Sequence, residues 1–177
     1  MKRIFFCSLF VFLIACQQNT SNNILYSSKF DDIKYFGEDS FLLEGTDVAD
    51  SLKENKYDRL PASYKGFVRE PVWNLSKNSA GLSIRFLSNS SVITAKWELL
   101  NNFSMNHMPD TGIKGIDLYF KNNDKWQYIN TGVPTGFNNE YRLIDNMDKE
   151  LREYKIFLPL YDGCLLYTSP SPRDAQL

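Results

Sequence analysis

Apolar and polar side chains alternate along much of the chain. Leu82, Ile84 and Phe86 are separated by Ser83 and Arg85, and Ile93, Ala95, Trp97 and Leu99 by Thr94, Lys96 and Glu98. A period of two over such lengths turns one face of a strand to a core and the other to water. Ile116, Leu118 and Phe120 repeat the pattern against Asp117 and Tyr119, and Tyr154, Ile156, Leu158 and Leu160 make a last, long alternation. Shorter runs at Ile33 to Phe36, Phe41 to Glu44, Trp126 to Thr131 and Tyr141 to Ile144 complete the set. Turn-forming residues fall between them. Gly37-Glu38-Asp39-Ser40 separates the first two runs, and Asn122-Asn123-Asp124 turns the chain into Trp126. Ser88-Asn89-Ser90 predicts a hairpin between the strands it joins. Only Asp50 to Lys56 reads as a helical turn, and there is no internal repeat. Many short strands without a long amphipathic helix predict an all-β fold, an antiparallel two-sheet β-sandwich of jelly-roll-like type.

The first residues follow a different rule. Met1-Lys2-Arg3 is a short positive segment, and Ile4 to Ile14 is an apolar run too short for a permanent membrane span. This reads as a secretory signal over residues 1–15. Leu13-Ile14-Ala15-Cys16 resembles a lipobox, in which the Cys thiol receives a diacylglycerol and becomes the new N-terminus. Two or more acyl chains hold a protein to a membrane where one does not. Residues 16–23, Cys16 followed by Gln17 to Asn23, are polar and aperiodic, as in a flexible tether. The expected location is the cell envelope, lipid-anchored at the outer membrane because no Asp follows Cys16, with the domain facing the periplasm or the outside.

The 177 residues leave room for one domain with a sizeable core. A composition 43% hydrophobic and 15% aromatic fits a folded, strand-rich chain. The net charge of -1, without a basic patch, argues against a nucleic-acid partner. Cys7 lies in the signal and Cys16 at the lipid site, so no disulfide is expected within 24–163. One histidine and no thiol pair give no cause to expect a metal or cofactor; Asp31-Asp32 and Asp145-Asn146-Met147-Asp148 are candidates for weak calcium binding at most and read first as solvated turns. The tail departs from all of this. Cys164-Leu165-Leu166-Tyr167-Thr168-Ser169-Pro170-Ser171-Pro172-Arg173-Asp174 breaks the strand pattern at Gly163 and resembles the in-frame translation of a transposase-type sequencing adapter. On that reading, residues 164–177 are an artefact standing in place of further native sequence.

Few residues within 24–163 suggest chemistry. His107 is the only histidine, with no activating nucleophile or carboxylate evident beside it. It reads as a loop residue, with a place in a cleft or interface as the alternative. Trp97 shares its face with Ile93 and Leu99 and reads as core; core packing is also the first reading of Trp73 and Trp126, which, with Tyr119 and Tyr128, are otherwise candidates to stack on sugar rings or line an interface. Asp117 could accept hydrogen bonds from turn amides or pair with an arginine such as Arg85. Gly37-Glu38-Asp39-Ser40 reads as a turn and not as a Gly-Asp-Ser nucleophile block, and no Gly-x-Ser-x-Gly elbow occurs.

The most distinctive string is Gly115-Ile116-Asp117-Leu118-Tyr119. Together with Arg59-Leu60-Pro61, Val72-Trp73-Asn74-Leu75, Asn78-Ser79-Ala80-Gly81, Ile84-Arg85-Phe86 and Asn106-His107-Met108-Pro109, it resembles the GxDLY-type N-terminal domain that precedes the catalytic domain of SGNH-hydrolase-type esterases. The resemblance spans roughly Tyr57 to Gly163 and marks Gly115, Asp117, Leu118 and Tyr119 as its motif. It implies an envelope or secreted esterase acting on acylated substrates, often sugar esters, whose catalytic residues lie in a following domain. No position here matches those catalytic motifs, so residues 24–163 are expected to be a non-catalytic accessory domain whose partner is the missing hydrolase domain. Two other readings compete: a stand-alone carbohydrate-binding envelope lipoprotein, and a structural or adhesion module.

Overall fold

The computed structural model describes residues 34–169. The signal segment, Cys16, its tether, Asp31-Asp32 and the tail past Ser169 lie outside the described residues. Alternation is realised as two antiparallel sheets. Strands β1 (Leu42–Glu44), β2 (Ser83–Ser88), β4 (Ile116–Asn122), β5 (Lys125–Gly132) and β7 (Arg152–Phe157) form a five-stranded sheet in the order β1-β2-β7-β4-β5. Strands β3 (Ile93–Leu99), β6 (Asn138–Ile144) and β8 (Cys164–Ser169) form a three-stranded sheet in the order β6-β3-β8. Helices are few among the described residues: α1 (Glu70–Ser76), α2 (Asp110–Lys114) and three single 3-10 turns.

One core lies between the sheets. Ile84 and Phe86 of β2, Ile116 and Leu118 of β4, and Tyr154 and Ile156 of β7 meet Ala95, Trp97 and Leu99 of β3, Leu143 of β6 and Leu166 of β8. Phe86 stacks on Tyr154 at 5.7 Å and receives the edge of Phe41 at 5.7 Å. Each such side chain contributes about 1.5–3 kcal/mol when fully withdrawn from water. Trp97 is buried with them, and its indole N–H donates to the Lys114 carbonyl at 3.1 Å. That bond satisfies a donor that would otherwise be stranded in the core.

The alternating runs fall largely where the pattern put them, and the exceptions have identifiable causes. The β4–β5 connection is a two-residue hairpin with Asn123 at φ 47° and Asp124 at φ 63°. That is the type I′ turn, whose backbone matches the twist of the flanking strands and which Asn and Asp tolerate. Ser88-Asn89-Ser90 is not a hairpin turn. β2 pairs with β1 and β7, and β3 pairs with β6 and β8, so this segment crosses from one sheet to the other. Two neighbouring strands that are both buried on one face can lie side by side or face to face, and here the apolar faces oppose each other across the core. The crossing is held locally, with the Ser88 hydroxyl accepting from the Ser90 amide and the Ser90 hydroxyl donating to the Val92 carbonyl.

The last alternation also stops early. β7 ends at Phe157 because Pro159 has no N–H to continue the ladder. Of the run from Ile33 to Phe36, the described residues 34–36 supply a single bridge, Phe36 to Thr168. The pattern does not break for good at Gly163 either. Cys164–Ser169 forms β8, paired with β3 from Leu99–Cys164 to Thr94–Ser169, with Cys164, Leu166 and Thr168 turned inward. The two short helices were not evident from periodicity, because neither is long enough to show one.

Gly115 sits where α2 becomes β4. A Cβ there would stand 2.4 Å from the Thr111 carbonyl oxygen and 3.0 Å from that of Gly132. Both are backbone atoms and cannot rotate away. Gly115→Ala is therefore expected to lower stability by about 1–3 kcal/mol, read as a lower midpoint in urea unfolding of the purified chain. Cys164 gives a second expectation. Burial pushes its thiol up to about 12, so it should resist iodoacetamide at pH 8 in the folded chain and react once the chain is unfolded.

Candidate functional site

The GxDLY string contributes to both sides of its sheet. Gly115 permits the close approach just described, and Ile116 and Leu118 point into the core. Asp117 and Tyr119 point outward. The Asp117 carboxylate accepts from the Thr131 hydroxyl at 2.5 Å, across the β4–β5 ladder. Thr131 in turn lies 2.9 Å from the Tyr128 hydroxyl. Arg85 is not the partner of Asp117; its guanidinium lies between Glu44 at 2.8 Å and Glu153 at 3.0 Å. Those carboxylates flank it on β1 and β7, where the register brings them beside β2.

This outer face gathers aromatic rings that the sequence scatters. Tyr119 meets Tyr128 edge-on at 5.6 Å and Phe157 edge-on at 5.4 Å. The Lys155 ammonium lies 4.5 Å from the ring of Trp126 and 2.8 Å from a Glu44 oxygen. Tyr128 is exposed, and Trp126 is half-buried beside the lysine. The face therefore combines flat rings with fixed charges, a surface chemistry suited to sugar hydroxyls and C–H groups.

Trp73 has a different setting. Its ring is buried on the inner side of α1, and the Lys77 ammonium covers it at 4.2 Å. Lys77 also reaches Asp58 at 2.6 Å and Glu54 at 2.8 Å. Trp73 thus anchors α1 and offers no free face. His107, Trp73 and Trp126 lie on separate elements: an exposed loop, the inner side of α1 and the outer face of β5.

His107 belongs to the segment between β3 and α2, and this segment is built around two buried charges that pattern reading missed. Asp162 has no exposed surface. Its carboxylate accepts four hydrogen bonds: from the Asn101 amide at 3.0 Å, the Asn101 side chain at 3.1 Å, the Asn102 amide at 2.7 Å and the Gly163 amide at 2.8 Å. A buried carboxylate is tolerable only when so surrounded by donors. Lys114 is buried on the other side. Its ammonium donates to Asn102 Oδ1 at 2.8 Å and Ser104 Oγ at 3.3 Å and pairs with Asp110 at 3.2 Å. A hydrogen bond from Ser104, with Lys114 beside it, holds the Asp110 carboxyl below its ordinary range.

Between these anchors the loop closes with a bridge from Met105 to Met108. His107 stands exposed at its tip, Nδ1 3.1 Å from Asn106 Oδ1. That contact can orient the ring; it does not activate a nucleophile. Leu100 and Phe103 in this segment, and Phe137 and Leu160 elsewhere in the chain, are substantially exposed apolar side chains. Asp162 and Lys114 were hidden in the sequence by their type, since Asp and Lys are ordinarily solvated. The one available signal was Asp162-Gly163 following a proline-terminated strand.

A cleft of about 170 Å³ opens beside this end of the fold, lined by Tyr57, Asp58, Lys77, Leu99, Leu100 and Cys164 among others. Burial pushes the Tyr57 phenol well above its ordinary value. Asp145 and Asp148 of the other candidate turn each engage an arginine, Arg142 and Arg152 respectively. Among the described residues no group of three or more His, Cys, Asp or Glu is placed to hold a metal.

Three comparisons bear on what this arrangement is. Residues 33–166 match the family described as GxDLY, the N-terminus of Esterase_SGNH_hydro-type. The chain superposes with TM-score 0.72 and 35% identity on a protein from Bacteroides ovatus ATCC 8483 described as a GDSL-like lipase, covering 77% of this chain and 40% of that one. It also shares its fold with a salicylyl-acyltransferase from a tetracycline biosynthetic pathway, at TM-score 0.54 and 9% identity, covering 82% of this chain and 42% of that one. The chain thus spans less than half the length of either solved relative. No curated protein sequence matches it significantly.

Replacing Asp162 tests the role given to it. Asp162→Ala leaves the buried Gly163 amide and three part-buried N–H groups of Asn101 and Asn102 without their acceptor and is expected to cost about 1–3 kcal/mol. Hydrogen exchange should speed up first at the amides of Asn101, Asn102 and Gly163.

Proposed function

Because the chain belongs to the GxDLY family of N-terminal domains of SGNH-hydrolase-type esterases, we propose that it is the non-catalytic module of an exported serine esterase acting on acylated sugars or similar esters. The chemistry lies in a hydrolase domain encoded beyond this module. There a serine attacks the ester carbonyl, the alcohol leaves, and water releases the acyl-enzyme with an oxyanion hole stabilising each tetrahedral intermediate. The observation that carries this reading is the family match over residues 33–166, reinforced by 35% identity to a GDSL-like lipase of more than twice the aligned length. In the same reading Cys16 carries the lipid anchor at the outer membrane, and the residues from 164 onward stand where native sequence continued toward the hydrolase.

The module's own part is mechanical. The loop from Asn101 to Asp110 is anchored at its base by Asp162 and Lys114, and His107 is carried at its exposed tip. A loop so held suits one wall of a substrate cleft better than a free loop does, because geometry at a reacting centre tolerates little displacement. A second reading, a carbohydrate-binding lipoprotein, draws on the outer face of the five-stranded sheet, where exposed Tyr128 adjoins Tyr119 and charged Lys155 and Glu44 lie nearby.

The two readings separate in one set of measurements. The purified chain should show no turnover of p-nitrophenyl acetate above buffer. The protein read from its source gene through the region after Gly163 should hydrolyse it and carry a Gly-x-Ser nucleophile turn. A stop codon soon after Gly163, with glycan binding that is lost in Tyr128→Ala, would replace the first reading with the second.

A further inference from the structure

The most exposed large apolar side chain among the described residues is Phe67, at 85%. It lies in a sharply defined turn. Lys65 at φ -61°, ψ 123° and Gly66 at φ 76°, with the Phe67 amide donating to the Tyr64 carbonyl at 3.0 Å, form a type II turn. A side chain at Gly66 would be strained, so the turn is tied to its glycine. Tyr64 stands beside Phe67 with ring centroids 6.4 Å apart. The chain then enters α1, whose inner side buries Trp73 and Ser76. Its outer side presents Val72 and Leu75, one turn apart and 38% and 60% exposed.

This surface is stiffly supported. The Arg59 guanidinium donates to the Leu75 carbonyl at 2.5 Å, and the Arg59 amide to the Ser76 carbonyl at 3.1 Å, closing the C-terminal end of α1. Glu54 bridges Lys65 at 2.9 Å and Lys77 at 2.8 Å, tying the turn to the end of the helix. Trp73 is clamped under Lys77. A helix apolar on both sides is ordinarily covered on both sides. A turn held in one conformation that displays Phe and Tyr has no use for them in water, and preorganised aromatic rings are the side chains that anchor interfaces.

We propose that the surface formed by Tyr64, Phe67, Val72 and Leu75 is the seat on which the following hydrolase domain docks. This rests on the esterase reading above. The occupant is chosen because the family places this module at the N-terminus of a larger enzyme, and because 60% of the Bacteroides ovatus chain lies outside the match. A covalently attached domain is present at high effective concentration, so an interface of modest area suffices to hold it. Leu100, Phe103, Phe137 and Leu160 are further exposed apolar side chains and serve as the comparison in the test below.

Hydroxyl-radical footprinting tests this on two samples, the present chain and the intact protein read through its hydrolase domain. Oxidation of Phe67 should fall roughly five-fold in the intact protein, as for a side chain moved from an open to a buried site, and Tyr64 and Leu75 should follow. Equal labelling of Phe67 in both samples, or protection confined to Leu100, Phe137 and Leu160, overturns the proposal. Ester turnover on the same intact sample separates the two levels. Turnover with Phe67 unprotected removes this interface and leaves the esterase reading standing, whereas an intact protein without a hydrolase domain removes both. A double variant, Phe67→Ser with Leu75→Ser, gives an independent check. The present chain should keep its melting temperature, because these side chains face water. The intact protein should change from one thermal transition to two; a single unchanged transition counts against the proposal.

Discussion

The hydrogen bond from the buried Trp97 indole to the carbonyl of Lys114 sets the position of much of the rest. An indole that fills the centre of a core cannot leave its N–H unpaired without a penalty of about 1–3 kcal/mol. Supplying the acceptor brings the last turn of α2 against β3. With α2 there, its exit must pass close to Thr111 and Gly132, and only glycine fits at position 115. β4 then starts in register, placing Leu118 inward and Asp117 outward. The side chain of Lys114 extends the same constraint in the other direction, toward Asn102, Ser104 and Asp110. One buried donor thus links the core, the family motif and the loop that carries His107.

This arrangement explains which parts of the fold could be read from sequence. Strands β2, β3, β4 and β7 announce themselves by period two because each packs one face on the core. The Asn123-Asp124 turn was legible because its backbone demands residues that accept positive φ. The crossing at Ser88 to Ser90 was not, since a polar segment between two alternating strands fits a hairpin and a sheet-to-sheet crossing equally well. The choice is made by distant partners, β7 for one strand and β8 for the other. Asp162 and Lys114 were invisible for a related reason. Their importance comes from what surrounds them, and neither residue type suggests burial by itself.

The motif that gives the family its name has a structural explanation at each position. Gly115 allows close approach, Leu118 fills the core, Asp117 fixes Thr131 and Tyr119 joins the outer ring cluster. That division fits the N-terminal module of a family whose solved members are longer proteins. Fold alone does not carry activity, and the relatives on which this reading rests are longer proteins.

The pairing of β8 with β3 has one more consequence. Apart from its bridge with Phe36, β8 forms the rim of the three-stranded sheet, and it occupies the flank of β3 along the length from Thr94 to Leu99. A version of the protein shortened before Cys164 would uncover that flank, a row of unsatisfied amides and carbonyls next to an apolar core. Such a row recruits any available strand from another molecule. Recombinant versions meant to stay in solution during expression and concentration should therefore retain a strand equivalent to β8 at this flank, whatever residues supply it.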